Sequence, residues 1–303
     1  LRNLPGVEVA WLADRHAPAA AAAARAFGVG RVAPLGEPLD LPACDLALLA
    51  VPLHARAPYL RYFAGRGTAV FTEKPFAVTV AEHREYLGWF GGRPVACGYM
   101  RRTYAAVRAL SLLLRHGWLG PLRAIRYAEG ARVTSGGAGA ALLDRPHHEG
   151  GGVLRDLGCH GIDLLGFLTG QPAWHDVAAD IAWDGATDRD VRARFGLALP
   201  DGPCAVDFAV TWLADTPNEL ALVFDRAVVA AGLRPDGGLT IGDPAPGAPR
   251  RRLDLDAGGA RTFYQAFGLE WQAVLAALAA GVPGEFDAAG SLWTTELVAA
   301  LYA

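Results

Sequence analysis

Three short stretches of the chain hold side chains able to move protons. The first is Glu73-Lys74-Pro75, and Lys74 is the single lysine among 28 basic residues, the others being arginine. Arginine replaces lysine readily on solvated surfaces, so a lysine surviving in so arginine-rich a chain marks a place where a bulky, always-charged guanidinium fails. A lysine ammonium is compact, and its pKa moves when water is withdrawn. The competing reading is a solvated Glu–Lys pair in a loop. The second stretch is GGGVLRDLGCHGID at residues 150–163, which contains Asp156 and His160. Their i, i+4 spacing puts both on one face of a helix, and Asp163 can reach the same side. A carboxylate beside an imidazole orients the ring and stabilises its protonated form, which makes a tunable acid/base. The third is the pair His147 and His148 in the preceding loop, candidate substrate contacts with ordinary loop surface as the alternative.

These groups need rigid elements to hold them. Residues 7–14, 45–51, 68–72 and 95–98 are short apolar strand patterns, separated by helical patterns at 17–27, 55–64 and 80–90. Short apolar strands alternating with helices predict an open α/β domain with a parallel sheet covered on both faces. Lys74 then sits at the carboxyl end of a strand, where open parallel sheets bind ligands. Pro75 fixes the turn, and Glu73 is expected to balance the lysine charge.

After residue 98 the pattern changes. An amphipathic helix at 104–116, a strand at 122–128 and a glycine-rich loop over 130–152 lead into a helix at 154–168. Consecutive strand patterns follow at 191–199, 205–213, 219–231, 239–241 and 252–255, and helices at 262–280 and 288–302 close the chain. This predicts an α+β second domain dominated by an antiparallel sheet. The domains expected are 1–97 and 98–303.

Composition narrows the function. The 303 residues carry a formal charge of −3, 52% hydrophobic and 19% charged side chains. That balance argues against a nucleic-acid partner that relies on phosphate neutralisation. Mean hydropathy is +0.20, owed largely to alanine. No uncharged apolar run approaches the ~20 residues needed to cross a bilayer, so no membrane partner is expected. Four cysteines at 44, 97, 159 and 204 show no Cys-x-x-Cys pair, which fits a reducing cytoplasm and neither a zinc site nor a disulfide framework.

Asp14 ends the first strand pattern. In dinucleotide-binding βαβ units an acidic residue there accepts hydrogen bonds from the adenosine ribose, although a carboxylate after a strand is more often a turn or helix cap. Arg15 beside it is suited to a 2′-phosphate, so the choice between NAD and NADP stays open, with Asp14 favouring NAD. The chain opens on Leu1, and residues 1–5 read as the tail of a helix, so the glycine loop and first strand of such a unit are expected upstream of this sequence.

TEKP after a buried strand, GYMRR at 98–102 and GGGVLRDLGCHGIDLL from 150 resemble the glucose–fructose oxidoreductase/inositol dehydrogenase/MocA family. Their order extends the resemblance over essentially the whole chain. It implies a Rossmann-type N-terminal domain and a C-terminal domain whose open sheet joins homodimers or homotetramers. It also implies hydride transfer between a nicotinamide cofactor and a carbinol or keto carbon, usually of a sugar or cyclic polyol. By position, Lys74, Asp156 and His160 match the family's catalytic and substrate-lining residues, with His160 the general acid/base. Asp14 matches the ribose-binding position, and Arg102 matches an arginine near cofactor or substrate. Pro52 matches the proline of the cofactor-side loop. Here that loop reads PLHAR, with His54 two residues after Pro52 and Arg56 where the family's histidine is expected. With these assignments His160, oriented by Asp156 or Asp163, exchanges the hydroxyl proton, and Lys74 holds the oxygen's developing charge. Two other readings stay open: a catalytically silent relative that binds a sugar as scaffold or sensor, and a non-redox epimerase or glycosidase that uses bound NAD transiently.

Overall fold

The computed structural model describes residues 3–36, 39–134, 151–245 and 247–303. Ala69–Glu73 (β2) runs between Leu46–Leu49 (β1) and Val95–Gly98 (β3) in a parallel sheet. Successive residues of a strand face opposite ways. Val70 therefore enters the main core, while Phe71 faces the other side and meets Trp271 with ring centroids 4.4 Å apart. Helices Ala17–Phe27 (α1), Arg56–Arg66 (α2) and Val80–Phe90 (α3) each stop at a left-handed glycine, Gly28, Gly67 and Gly91. Glycine takes that conformation without steric cost. A capping box between Thr79 and Glu82 starts α3.

The apolar stretch 7–14 does not form the expected strand. Its pairing is a single bridge, Leu12 opposite Val32. Among the described residues β1 pairs only with β2, and its Leu48 is 45% exposed. Backbone groups gain a ladder only from a neighbour, so an apolar pattern without one remains irregular chain.

The helix Ala105–His116 (α4) leads into Leu122–Gly130 (β4), a central strand of an eight-stranded sheet. The others are Trp174–Asp184 (β5), Thr187–Leu199 (β6), Gly202–Thr211 (β7), Glu219–Phe224 (β8), Val228–Gly232 (β9), Leu239–Gly242 (β10) and Arg250–Leu253 (β11). Their order is β11-β10-β9-β8-β4-β7-β6-β5, antiparallel throughout except for the parallel β4–β7 pair. The stretch 219–231 is two strands, because Asp225–Ala227 turns the chain back on itself. β5 has no counterpart in the sequence reading. Register shifts at 175/178 and 182/183 break its period of two, and as an edge strand it is mostly exposed, so no apolar alternation survives.

Three further helices follow among the described residues: Cys159–Thr169 (α5), Phe263–Ala280 (α6) and Leu292–Tyr302 (α7). α6 roofs the first sheet through Trp271 and Val274, although it follows the second sheet in sequence. α7 is latched to α3 by His83, whose Nδ1 lies 2.8 Å from Thr295 Oγ1 and whose Nε2 donates to Ala288 O at 2.9 Å. One apolar core runs from Phe63 and Phe90 through Tyr104 and Leu110 to Phe208 and Leu222.

Candidate active site

Lys74 leaves the carboxyl end of β2 and meets the start of the α5 region. Its Nζ donates to the backbone carbonyl of Asp156 at 2.7 Å and to Asp156 Oδ1 at 3.0 Å. Glu73, expected to balance the lysine, is exposed, and Asp156 takes that role. Burial draws the lysine pKa down, but the groups of Cys159 and Asp156 overcome it, and the net direction is up. Lys74 is a cation at neutral pH.

Asp156 sits in a π-helical turn, Leu154–Gly158, immediately before α5. π turns are rare and concentrate at functional sites. The turn alters the phase that the i, i+4 spacing assumes, and Asp156 does not hydrogen-bond His160. Its start is pinned by Asp188, a fully buried carboxylate on β6 that accepts from Gly152 N, Leu154 N (2.7 Å) and Tyr302 Oη (2.9 Å). A Cβ at Gly152 would lie 2.0 Å from Asp188 O, so only glycine permits this approach. Sequence reasoning missed Asp188, which sits inside an arginine- and aspartate-rich hairpin that reads as solvated surface.

His160 is buried, with Nδ1 lacking any hydrogen-bond partner among the described residues and its ring edge-on to Tyr99 at 6.1 Å. Burial pushes its pKa well below the usual value, and the charges of Arg101 and Lys74 push the same way. The imidazole is neutral. Arg101 is itself held by both oxygens of Glu129 at 2.8 Å, and Tyr127 Oη donates to the same carboxylate at 2.5 Å. Cys159, pushed up to about 11 by burial, is a thiol at neutral pH.

Two expectations need correction. Asp163 does not orient His160; both its oxygens accept from Arg102. Arg102, expected near cofactor or substrate, is buried and committed to Asp163 and the carbonyl of Glu285. A guanidinium with each of its three nitrogens donating and its surface covered is a brace between elements.

The remaining residues lie around the strand exits. Pro52 begins the 3₁₀ turn Leu53–Ala55 after β1, and His54 is exposed on it. Asp14 and Arg15 are exposed, and Asp14 Oδ1 accepts from His16 N at 2.7 Å, ahead of α1. Neither hydrogen-bonds to the Lys74 group among the described residues. His147 and His148 lie outside the described residues.

Residues 1–90 match the family described as an oxidoreductase family with an NAD-binding Rossmann fold, and residues 107–232 match the GFO/IDH/MocA C-terminal domain. The chain belongs to the Gfo/Idh/MocA family. Among curated Gfo/Idh/MocA relatives, D-apiose dehydrogenase of Paraburkholderia graminis is 26% identical over 175 residues, covering 56% of this chain and 45% of that protein. The chain spans about half the length of the curated relatives it matches. Aldose–aldose oxidoreductase from Caulobacter crescentus has the same fold, with a TM-score of 0.79 at 21% identity over 97% of this chain and 88% of that one. A levoglucosan dehydrogenase solved with NADH and L-sorbose gives a TM-score of 0.81 at 17% identity, covering 97% and 86%. No helix among the described residues is long and apolar enough to cross a membrane.

Proposed function

We propose that this protein is an NAD(P)-dependent oxidoreductase that passes a hydride between nicotinamide and a carbinol or keto carbon of a sugar or cyclic polyol, working in the cytoplasm. The observation that carries the reading is a protonated Lys74 at the carboxyl end of a parallel strand, bonded to Asp156 and acting through its charge on a neutral, buried His160. Oxidising an alcohol removes hydride from carbon and a proton from oxygen. When bound, the nicotinamide ring supplies the hydride acceptor.

The residues present fit such a group. His160 Nδ1 is a buried ring nitrogen with no hydrogen-bond partner among the described residues, and Lys74 stands where parallel sheets receive ligands. Asp14 would hold the adenosine ribose through the oxygen not used by His16, with Arg15 beside it. Pro52, His54 and Glu73 border the exits of β1 and β2. NAD is the preferred cofactor, because Asp14 would repel a 2′-phosphate.

The protein's own steps follow from charge. His160 accepts the hydroxyl proton, being neutral and dry. Lys74 hydrogen-bonds the same oxygen and stabilises its developing negative charge, while Asp156 keeps the ammonium in place. In reduction the order reverses. His147 and His148 are proposed to contact the substrate. The names of D-apiose dehydrogenase and levoglucosan dehydrogenase support a sugar-like substrate.

A homodimer or homotetramer is proposed through the outer face of the eight-stranded sheet. That face exposes Arg192, Arg194 and Asp207 between buried neighbours. An absorbance screen at the nicotinamide band tests the activity, with NAD and NADP against cyclic polyols and keto-sugars. The expected result is a cofactor signal that needs both partners; a protein binding neither cofactor would sink the reading.

A further inference from the structure

β1 and β2 are parallel neighbours in register, Leu49 opposite Thr72, so the loop after one and the turn after the other leave the sheet side by side. Arg56, the first residue of α2, fills the space between them. It is 2% exposed. Its Nη1 donates to the carbonyls of Pro75 and Phe76, the latter at 3.0 Å, and Nη2 donates to Val51 O at 3.4 Å. Among the described residues its hydrogen bonds go to main-chain carbonyls and to no carboxylate; Glu73 acts on it only through space.

A buried cation held by carbonyls alone is an expensive way to fill a core, since an apolar side chain of that volume packs without the desolvation cost. The guanidinium supplies what an apolar chain lacks, a planar fork of donors with fixed directions. The turn needs them. Pro75 has no N–H to donate, and the carbonyls after Lys74 take their bonds from Arg56. Further along, Val78 N and Thr79 N donate to Glu82 Oε2 at 3.2 and 3.0 Å. The backbone immediately beyond Lys74 is thus held from outside, by Arg56 first and Glu82 second.

We propose that Arg56 is a positioning residue that seats Lys74 against Asp156 and couples that lysine to the loop at residues 51–54. The catalytic meaning of the coupling rests on the function proposed above; the coupling itself does not. It stands on one side chain bonded to both strand exits.

Because the chain has a single lysine, amine acylation followed by peptide mapping reads Lys74 without knowledge of any substrate. In Arg56→Gln the turn loosens, Lys74 leaves Asp156 and loses the interaction that holds its pKa up, so acylation at alkaline pH runs about tenfold faster. Lysine is avoided at position 56 because it would add a second target. Leu222→Ala, a cavity in the core of the second sheet, lowers stability without touching either exit and should acylate at the wild-type rate. NADH affinity should weaken in Arg56→Gln and not in Leu222→Ala. A folded Arg56→Gln protein acylated at the wild-type rate overturns the proposal. Should that variant not fold, Arg56→His keeps one donor toward the turn; an intermediate acceleration is expected, and the wild-type rate would again overturn it. If the wild-type protein binds no cofactor, the functional reading fails while the acylation comparison still decides the role of Arg56.

Discussion

Lys74 Nζ lies 2.7 Å from the backbone carbonyl of Asp156, joining residues 82 positions apart and tying the end of β2 to the turn before α5. One lysine is both a junction between the two halves and the cation of the proposed reaction. Substitutions there separate the two roles. Lys74→Arg keeps the charge but not the size. It should reduce turnover by about 10²–10³-fold, the cost of losing one well-placed donor to a developing oxyanion. Cofactor titration and circular dichroism should match the wild type. Turnover near normal would remove Lys74 from the chemistry.

The pH profile reports His160. Its pKa is depressed by burial and by the cations Arg101 and Lys74, so it stays neutral to lower pH than an ordinary histidine. The acid limb of kcat/KM for alcohol oxidation should therefore fall well below pH 6.5. Arg101→Met removes one of those charges and should move the limb upward. A limb at the ordinary histidine value in the wild type would show that His160 is not the base.

Arg102 and Asp163 form a buried pair whose members depend on each other. Breaking it with Arg102→Met alone should cost about 3–5 kcal/mol, because Asp163 is left buried without its partner. Adding Asp163→Leu should restore much of that loss. Urea denaturation of the two single variants and the double variant checks this, and additive losses would contradict a direct pairing.

Two buried groups give opposite pH slopes of stability. His83 titrates at about 4 in the folded protein, chiefly through burial, against 6.5 for the free side chain. The unfolded chain binds its proton first, so stability is lost as pH falls from 6.5 toward 4, by about 3 kcal/mol in all. Glu270, 1% exposed and with Oε1 lacking a partner among the described residues, is pushed up to about 8 by burial and then by Glu73. The folded protein keeps that proton longer, so its contribution is lost as pH rises from 4.5 toward 8. Glu270→Gln should therefore stabilise the protein at pH 8 by roughly 2–4 kcal/mol and change little at pH 4.5. Melting curves at the two pH values decide it; destabilisation at pH 8 would place an unseen partner on Glu270.

How far the sequence reached depended on whether a feature was local. The spans of α1, α3 and β3 are written in apolar period, glycine stops and a capping box, all short-range physics. Lys74, Asp156 and His160 stood out because residue type and spacing alone restrict what they can do; the structure puts Lys74 on Asp156 and buries His160 without a bond to either. β5 was invisible because bulges erase its periodicity. The stretch 7–14 looked like a strand because an apolar pattern carries no record of whether a neighbour is there to pair with.

The sequence by itself determined the alternation of elements, the one lysine and the turn that holds it. Only the tertiary structure decided the partners. Asp156 goes to Lys74 and Asp163 to Arg102, and neither goes to the histidine that shares their helix. Arg56 serves two strand exits that sequence separates by two dozen residues. The reason is physical. Spacing fixes which side chains share a face, but a buried charge takes the nearest group that offsets its desolvation, and folding determines which group that is.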